Sequence, residues 1–136
     1  MYTLLIVDDE EIEREGMAQF IPWDSYEIKV VSTARNGAEG LEKIAKFRPD
    51  LAIVDIKMPV MNGIEMIRQA KEQYPDMTFV VLSGYGDYEF TSQAMELGVR
   101  HYILKPCDES KMIPALNKAF AELEEARKKN ARSEKL

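Results

Sequence analysis

Five side chains able to do chemistry stand directly after short apolar runs. Asp8 and Asp9 follow Leu4-Leu5-Ile6-Val7, Asp55 follows Leu51-Ala52-Ile53-Val54, Ser83 follows Phe79-Val80-Val81-Leu82, and Lys105 follows Tyr102-Ile103-Leu104. Three carboxylates brought to one place repel one another and raise each other's pKa unless a cation lies between them. Neither histidine nor cysteine belongs to this set, and an oxygen-only donor group with room for water favours Mg²⁺. Ser83 would supply a hydroxyl donor and Lys105 a compact positive charge, both suited to the oxygens of a phosphoryl group held near that ion. One carboxylate would then be the acceptor. Phosphoryl transfer asks mainly for positioning and charge neutralisation, which Mg²⁺ and Lys105 would provide. Taken singly, each residue has an ordinary explanation: Asp8 as a helix N-cap, Ser83 as a turn residue, Lys105 as a solvated lysine.

The elements that must position these residues alternate strictly. Residues 3–7 suit a strand, and Glu10 to Phe20 a helix with Ile12, Met17 and Phe20 inward, ended by Pro22. A β-branched stretch at 28–34 is followed by a helix from about Ala38, with Leu41, Ile44 and Phe47 on one face, stopped by Arg48-Pro49. Strand 51–54 leads through a turn at 58–63 to a helix carrying Ile64, Ile67 and Ala70, which ends near Tyr74-Pro75. Strand 78–82, helix 88–97 closing at Gly98, strand 100–104 and a helix from about Glu109 with Ile113, Leu116, Phe120 and Leu123 complete the pattern. Strands apolar on both sides belong in a parallel sheet covered by helices on both faces. Right-handed crossovers then predict an α/β, flavodoxin-like (βα)5 doubly wound fold with strand order 2-1-3-4-5. In such a sheet ligands bind outside the carboxyl ends of the strands, where the order reverses between strands 1 and 3. All five reactive residues fall at that end, and coincidence does not explain their joint placement.

Composition narrows the function. The 136 residues fit one domain, and 18 Lys+Arg against 24 Asp+Glu leave a net charge of -6, which argues against direct nucleic-acid binding by this domain. The longest wholly apolar runs have four residues, far short of the roughly 20 a spanning helix needs, so no membrane partner is expected. Met1-Tyr2-Thr3 shows no signal-peptide pattern, and Cys107, the one cysteine, forms no internal disulfide, which together predict a cytoplasmic location. Residues 118–136 hold six Lys+Arg and four Asp+Glu, so the basic end differs in kind from the acidic body. Residues 1–124 are expected to be the domain, and 125–136 the start of a linker toward an output domain.

Four segments carry a resemblance: Ile6-Val7-Asp8-Asp9-Glu10, Asp55-Ile56-Lys57-Met58-Pro59-Val60-Met61-Asn62-Gly63, Leu82-Ser83-Gly84-Tyr85 and Tyr102-Ile103-Leu104-Lys105-Pro106. Over about residues 2–124 the chain resembles the receiver domain of bacterial two-component response regulators, the nine residues from Asp55 being the most specific match. The resemblance implies that Asp55 accepts a phosphoryl group from a sensor histidine kinase. It implies that Asp9, Asp55 and the backbone carbonyl of Lys57 bind Mg²⁺, with Asp8 helping from behind or through water. Lys105 would clamp the phosphoryl group, Ser83 would swing to bond it, and Tyr102 would be the aromatic that turns inward as Ser83 moves. Helix 88–97, strand 100–104 and helix 109–126 would form the readout face, through which many such domains form homodimers. The Lys105-Pro106 peptide is cis in the family.

Ile21-Pro22-Trp23-Asp24-Ser25-Tyr26, with the segment from Ser83 to Phe90, looks like the YesN-type subgroup, whose receivers precede an AraC-type DNA-binding domain. Trp23 and Cys107 are expected to pack, and His101 to face solvent or a helix. Lys57 and Tyr85 stand two residues after the acceptor and the hydroxyl, where family side chains modulate phosphoryl lifetime. The expected function is therefore a signalling switch and not an enzyme acting on a separate substrate. A haloacid-dehalogenase-like phosphatase would need Asp-x-Asp after the first strand, and an FMN carrier a Ser/Thr/Gly-rich loop where Asp8-Asp9-Glu10-Glu11 would repel phosphate.

Overall fold

A computed structural model describes residues 1–106 and 108–134, with side chains through Lys129. The expectation for Cys107 lies outside the described residues. Five strands and five helices alternate: β1 (Tyr2–Val7), α1 (Glu11–Phe20), β2 (Ile28–Ala34), α2 (Gly37–Phe47), β3 (Leu51–Asp55), α3 (Gly63–Gln73), β4 (Thr78–Ser83), α4 (Tyr88–Glu96), β5 (His101–Leu104) and α5 (Glu109–Glu134). The strands form one parallel sheet in the order β2-β1-β3-β4-β5, as the apolar pattern predicts.

Because successive strand residues point to opposite faces, each strand feeds two cores. Leu5, Val7, Ala52, Val54, Phe79 and Val81 pack under α2, α3 and α4, against Ile44, Ile64, Ile67, Ala70 and Ala94. Leu4, Ile6, Leu51, Ile53, Val80, Leu82 and Ile103 pack under α1 and α5, against Met17, Met112, Leu116, Phe120 and Leu123. Trp23, in a short 3-10 turn over Trp23–Tyr26, closes this second core and donates its indole N–H to the Met17 carbonyl at 2.9 Å. His101 faces α5, pairing with Glu122 at 2.5 Å.

Two helices depart from the sequence expectation. In α1 only Met17 of the three expected inward residues is buried, while Ile12 and Phe20 are 90% and 84% exposed. The helix is turned so that Arg14 lies inward and its guanidinium reaches the Asp8 carbonyl at 3.0 Å. At about 100° per residue Ile12 and Met17 stand about 140° apart around the helix, so when Met17 faces the core Ile12 does not. Phe47 of α2 is likewise 37% exposed, beyond the reach of the core that holds Ile44. The last helix runs on to Glu134, past the end of its apolar stripe at Leu123. Strong helix formers such as Glu, Ala, Arg and Lys sustain it there, with the Arg127 guanidinium paired to Asp50.

Candidate functional site

The register of the sheet brings the acidic residues together. β1 and β3 are neighbours with Val7 beside Val54, so the next residues, Asp8 and Asp55, emerge side by side at the carboxyl edge. Asp8 N–H still donates to Ala34 O at 3.0 Å and Ile56 N–H to Leu82 O at 3.1 Å, which fixes both backbones at this edge. Asp8 and Asp55 are 0% and 3% exposed, whereas Asp9, one residue further out, is exposed. One carboxylate oxygen from each of Asp8, Asp9 and Asp55 lies within 4.8 Å of the others.

Asp8 Oδ1 accepts the Glu10 N–H at 3.0 Å, but its Oδ2 is buried with no hydrogen-bond partner among the described residues. An orphaned carboxylate oxygen is expensive to bury. Burial, reinforced by the charges of Asp55 and Glu13 and opposed by the Glu10 N–H and Lys105, pushes the Asp8 carboxyl up to about 7. Asp55 is also held above the usual carboxylate range by burial, against the pull of Lys105 and the Lys57 N–H. A buried oxygen without a donor, inside three converging carboxylates, fits a divalent cation with oxygen ligands.

Lys105 supplies the positive charge. It follows β5, whose Leu104 pairs with Ser83, and its N–H donates to the Ser83 carbonyl at 2.7 Å. Its ammonium then lies 3.0 Å from Asp55 Oδ2 and 3.3 Å from Glu13 Oε2. Burial works against that charge, but the hydrogen bond to Asp55 and the fields of Asp55, Asp8 and Glu13 hold its pKa above the ordinary lysine value. Ser83 is the last residue of β4 and 7% exposed, at the same edge. The Lys105-Pro106 peptide is cis.

The loop between β3 and α3 wraps the Asp55 side of the cluster. Lys57 N–H reaches Asp55 Oδ1 at 3.3 Å. Met61 N–H bonds Pro59 O at 2.7 Å around Val60, which sits at φ 67, a conformation rare for a β-branched residue. Asn62 caps α3 by accepting the Glu65 N–H at 2.9 Å. Gly63 follows it because a Cβ there would lie 2.6 Å from the Asp55 carbonyl oxygen. Tyr102 is half-buried against the α4 side of the core and donates its hydroxyl to Val99 O at 3.0 Å.

The structure thus gathers Asp8, Asp9, Asp55 and Lys105, with Ser83 on the same edge, and places Tyr102 apart under α4. Sequence reasoning missed three contributors. Glu13 pairs with Lys105, and Arg14 holds the Asp8 carbonyl. Asp87, 6% exposed, bonds Gly84 N–H at 2.7 Å and Lys57 Nζ at 2.8 Å. An acidic residue just before a helix is the available signal for Asp87, but it suggests capping, which its side chain does not do.

Residues 4–117 match the response regulator receiver domain family. The uncharacterised transcriptional regulatory protein YesN of Bacillus subtilis is 44% identical over 123 residues, 90% of this chain and 33% of the relative. The transcriptional regulatory protein HptR of Staphylococcus aureus is 35% identical over 133 residues, 98% of this chain and 52% of the relative. The chain therefore spans a third to about half of these curated relatives. The REC domain of AraT, a response regulator from Geobacillus stearothermophilus, superposes with a TM-score of 0.79 at 32% identity, over 95% of this chain and 98% of that one. No described helix is long and apolar enough to cross a membrane.

Proposed function

The chain belongs to the response regulator receiver domain family, and from that premise we propose that it is a switch set by phosphorylation of Asp55. The observation that supports this most is the Lys105–Asp55 contact beside the orphaned oxygen of Asp8. A sensor histidine kinase is the proposed donor. An Asp55 carboxylate oxygen attacks phosphorus, the donor's N–P bond breaks, and an acyl phosphate remains. Lys105, already against Asp55 Oδ2, pairs with the added phosphoryl oxygens, and Ser83 donates its hydroxyl to them.

Asp9, Asp55 and the Lys57 backbone carbonyl are the proposed Mg²⁺ ligands, Asp8 acting directly behind them or through water. The ion, when bound, supplies the positive charge that three carboxylates and a phosphoryl group require. The chain's own residues do the rest: Glu10 N–H and Arg14 fix Asp8, while the Lys57 N–H orients Asp55.

Readout follows from differential contact. Phosphorylation adds roughly one further negative charge to Asp55, so Ser83 and Lys105 gain bonds in one state only. Tyr102 turning toward the space vacated by Ser83 carries the change to the α4-β5-α5 face. That face is proposed as the homodimer surface, relaying to a DNA-binding output domain in a longer cytoplasmic transcription regulator. On this reading the chain has no separate substrate and is not an enzyme.

Isothermal titration calorimetry with Mg²⁺ tests the ligand set. The wild type is expected to bind one ion and Asp9→Ala to lose it; equal binding by both removes Asp9 from the site. Calorimetry suits the purpose better than fluorescence, because Trp23 packs just before β2, at the sheet end opposite the carboxylates.

A further inference from the structure

The Lys57 side chain turns away from the carboxylate cluster although its N–H touches Asp55. Its ammonium lies 2.8 Å from Asp87 Oδ1 and 5.9 Å from the Phe90 ring centre in α4. The other Asp87 oxygen accepts the Gly84 N–H at 2.7 Å. Asp87 is buried, while Lys57 is largely exposed. Burial works against the Asp87 charge, but Lys57, the Gly84 N–H and the field of Lys105 hold its carboxyl below the usual range. An acidic residue in the position before a helix normally turns its side chain onto the helix's own N–H groups. Asp87 instead faces back toward Gly84 and across to Lys57, and only its carbonyl serves α4, accepting the Thr91 N–H at 3.0 Å.

Apart from Phe90, which packs against the core from α4, the segment joined this way has few apolar anchors. Tyr85 and Tyr88 are 90% and 80% exposed, so no apolar side chain at these positions anchors the loop. Gly86 sits at φ +88 with open space around it, a natural hinge. The line Asp55, Lys57, Asp87, Gly84 therefore ties the acceptor loop to the start of α4.

We propose that the Lys57–Asp87 pair is a phosphoryl-sensitive strut, holding the start of α4 to the acceptor loop until a phosphoryl group on Asp55 draws the Lys57 ammonium away. The proposal rests on Asp55 being the acceptor. A lysine ammonium is a point charge on a flexible stem and exchanges partners readily, whereas the planar fork of arginine would be tied to one carboxylate. The phosphoryl group brings more charge and more acceptor oxygens than Asp87 offers. Loss of the pair leaves Asp87 buried with its charge uncompensated, which favours its movement toward water and the opening of the loop about Gly86.

Hydrogen–deuterium exchange of residues 84–92, in the full chain with Mg²⁺ and with or without acetyl phosphate, tests the strut. Intact mass is recorded on the same samples to count phosphoryl groups. Asp87→Asn keeps an oxygen for the Gly84 N–H but removes the charge that holds Lys57. The wild type is expected to exchange this segment roughly tenfold faster when labelled. Asp87→Asn is expected to exchange fast without the label and to change little with it. A labelled wild type whose exchange is unchanged or slower overturns the strut and leaves the acceptor assignment standing. So does an Asp87→Asn protein that keeps the wild-type difference. A wild type that takes no label overturns both readings. Should Asp87→Asn fail to fold, Lys57→Gln decides: fast exchange without label supports the strut, and slow exchange overturns it.

Discussion

Replacing Asp8 by asparagine should stabilise the metal-free protein, and by an amount that depends on pH. Asp8 is fully buried with Oδ2 unpartnered, and its carboxyl is raised from 3.8 to about 7. In the folded chain the group therefore holds its proton up to about pH 7, whereas in the unfolded chain it releases it above about pH 4. Between those values the folded state binds more protons, so wild-type stability falls as pH rises, and it levels off above the folded pKa. The interval from 3.8 to about 7 corresponds to at most about 4 kcal/mol. That is a large part of the roughly 5–15 kcal/mol that holds a domain of this size together. Asp8→Asn removes the titration and keeps the shape. Urea unfolding in EDTA is expected to show the variant up to about 4 kcal/mol more stable at pH 8, with the gap closing near pH 4. Mg²⁺ at about a hundred times its Kd for the wild type should restore about 2.7 kcal/mol to the wild type at pH 8 and less to the variant, which keeps the three proposed ligands but loses the charge behind them. Parallel stability–pH curves for the two proteins in EDTA would refute the assignment of Asp8 as a strained, charge-demanding group.

Two further substitutions probe the framework around the site. Gly63→Ala would place a Cβ 2.6 Å from the Asp55 carbonyl oxygen and 3.0 Å from the Ile56 Cα, both backbone atoms. It should cost about 1–3 kcal/mol and lower the urea midpoint, and an unchanged midpoint would contradict the close approach of α3 to β3. Asp50 ties the starts of β3 and β1 by accepting the Thr3 N–H at 2.8 Å and the Thr3 hydroxyl at 3.1 Å, and it pairs with Arg127 of α5. Burial opposes its charge, but the Thr3 N–H and Arg127 hold the carboxyl below its usual 3.8. Its stabilisation is therefore complete above about pH 4 and is lost as pH falls through the lower folded value. Asp50→Asn should cost about 1–2 kcal/mol at pH 7, with the deficit shrinking in acid; a deficit independent of pH would exclude a charge-based role.

What could be read from the sequence was set by strong local signals. The three four-residue apolar runs can be satisfied only by burial on both faces, which made the central strands of a parallel sheet legible. Strict alternation with helices and the doubly wound topology then supplied the other two strands and the order. The edge residues Asp8, Asp9, Asp55, Ser83 and Lys105 followed from where those strands end. Orientation of surface helices was harder. The pattern of Ile12, Met17 and Phe20 suggests an apolar stripe, but the helix rotates to bring Arg14 onto the Asp8 carbonyl, a contact to backbone that no spacing rule reveals. Glu13 and Asp87 were not legible for a related reason: each finds its cation far away in the sequence, Lys105 and Lys57. The left-handed Val60 was equally hidden, since β-branched residues are poor markers for such turns.

Every step of the proposed switch depends on Asp55 being the phosphoryl acceptor. Acetyl phosphate with Mg²⁺ transfers its phosphoryl group to the acceptor, borohydride then reduces the aspartyl phosphate to homoserine with release of phosphate, and peptide mass spectrometry locates it. The predicted result is homoserine at position 55 alone, lost when Mg²⁺ is replaced by EDTA. Homoserine at another aspartate, or none with Mg²⁺ present, would contradict the account.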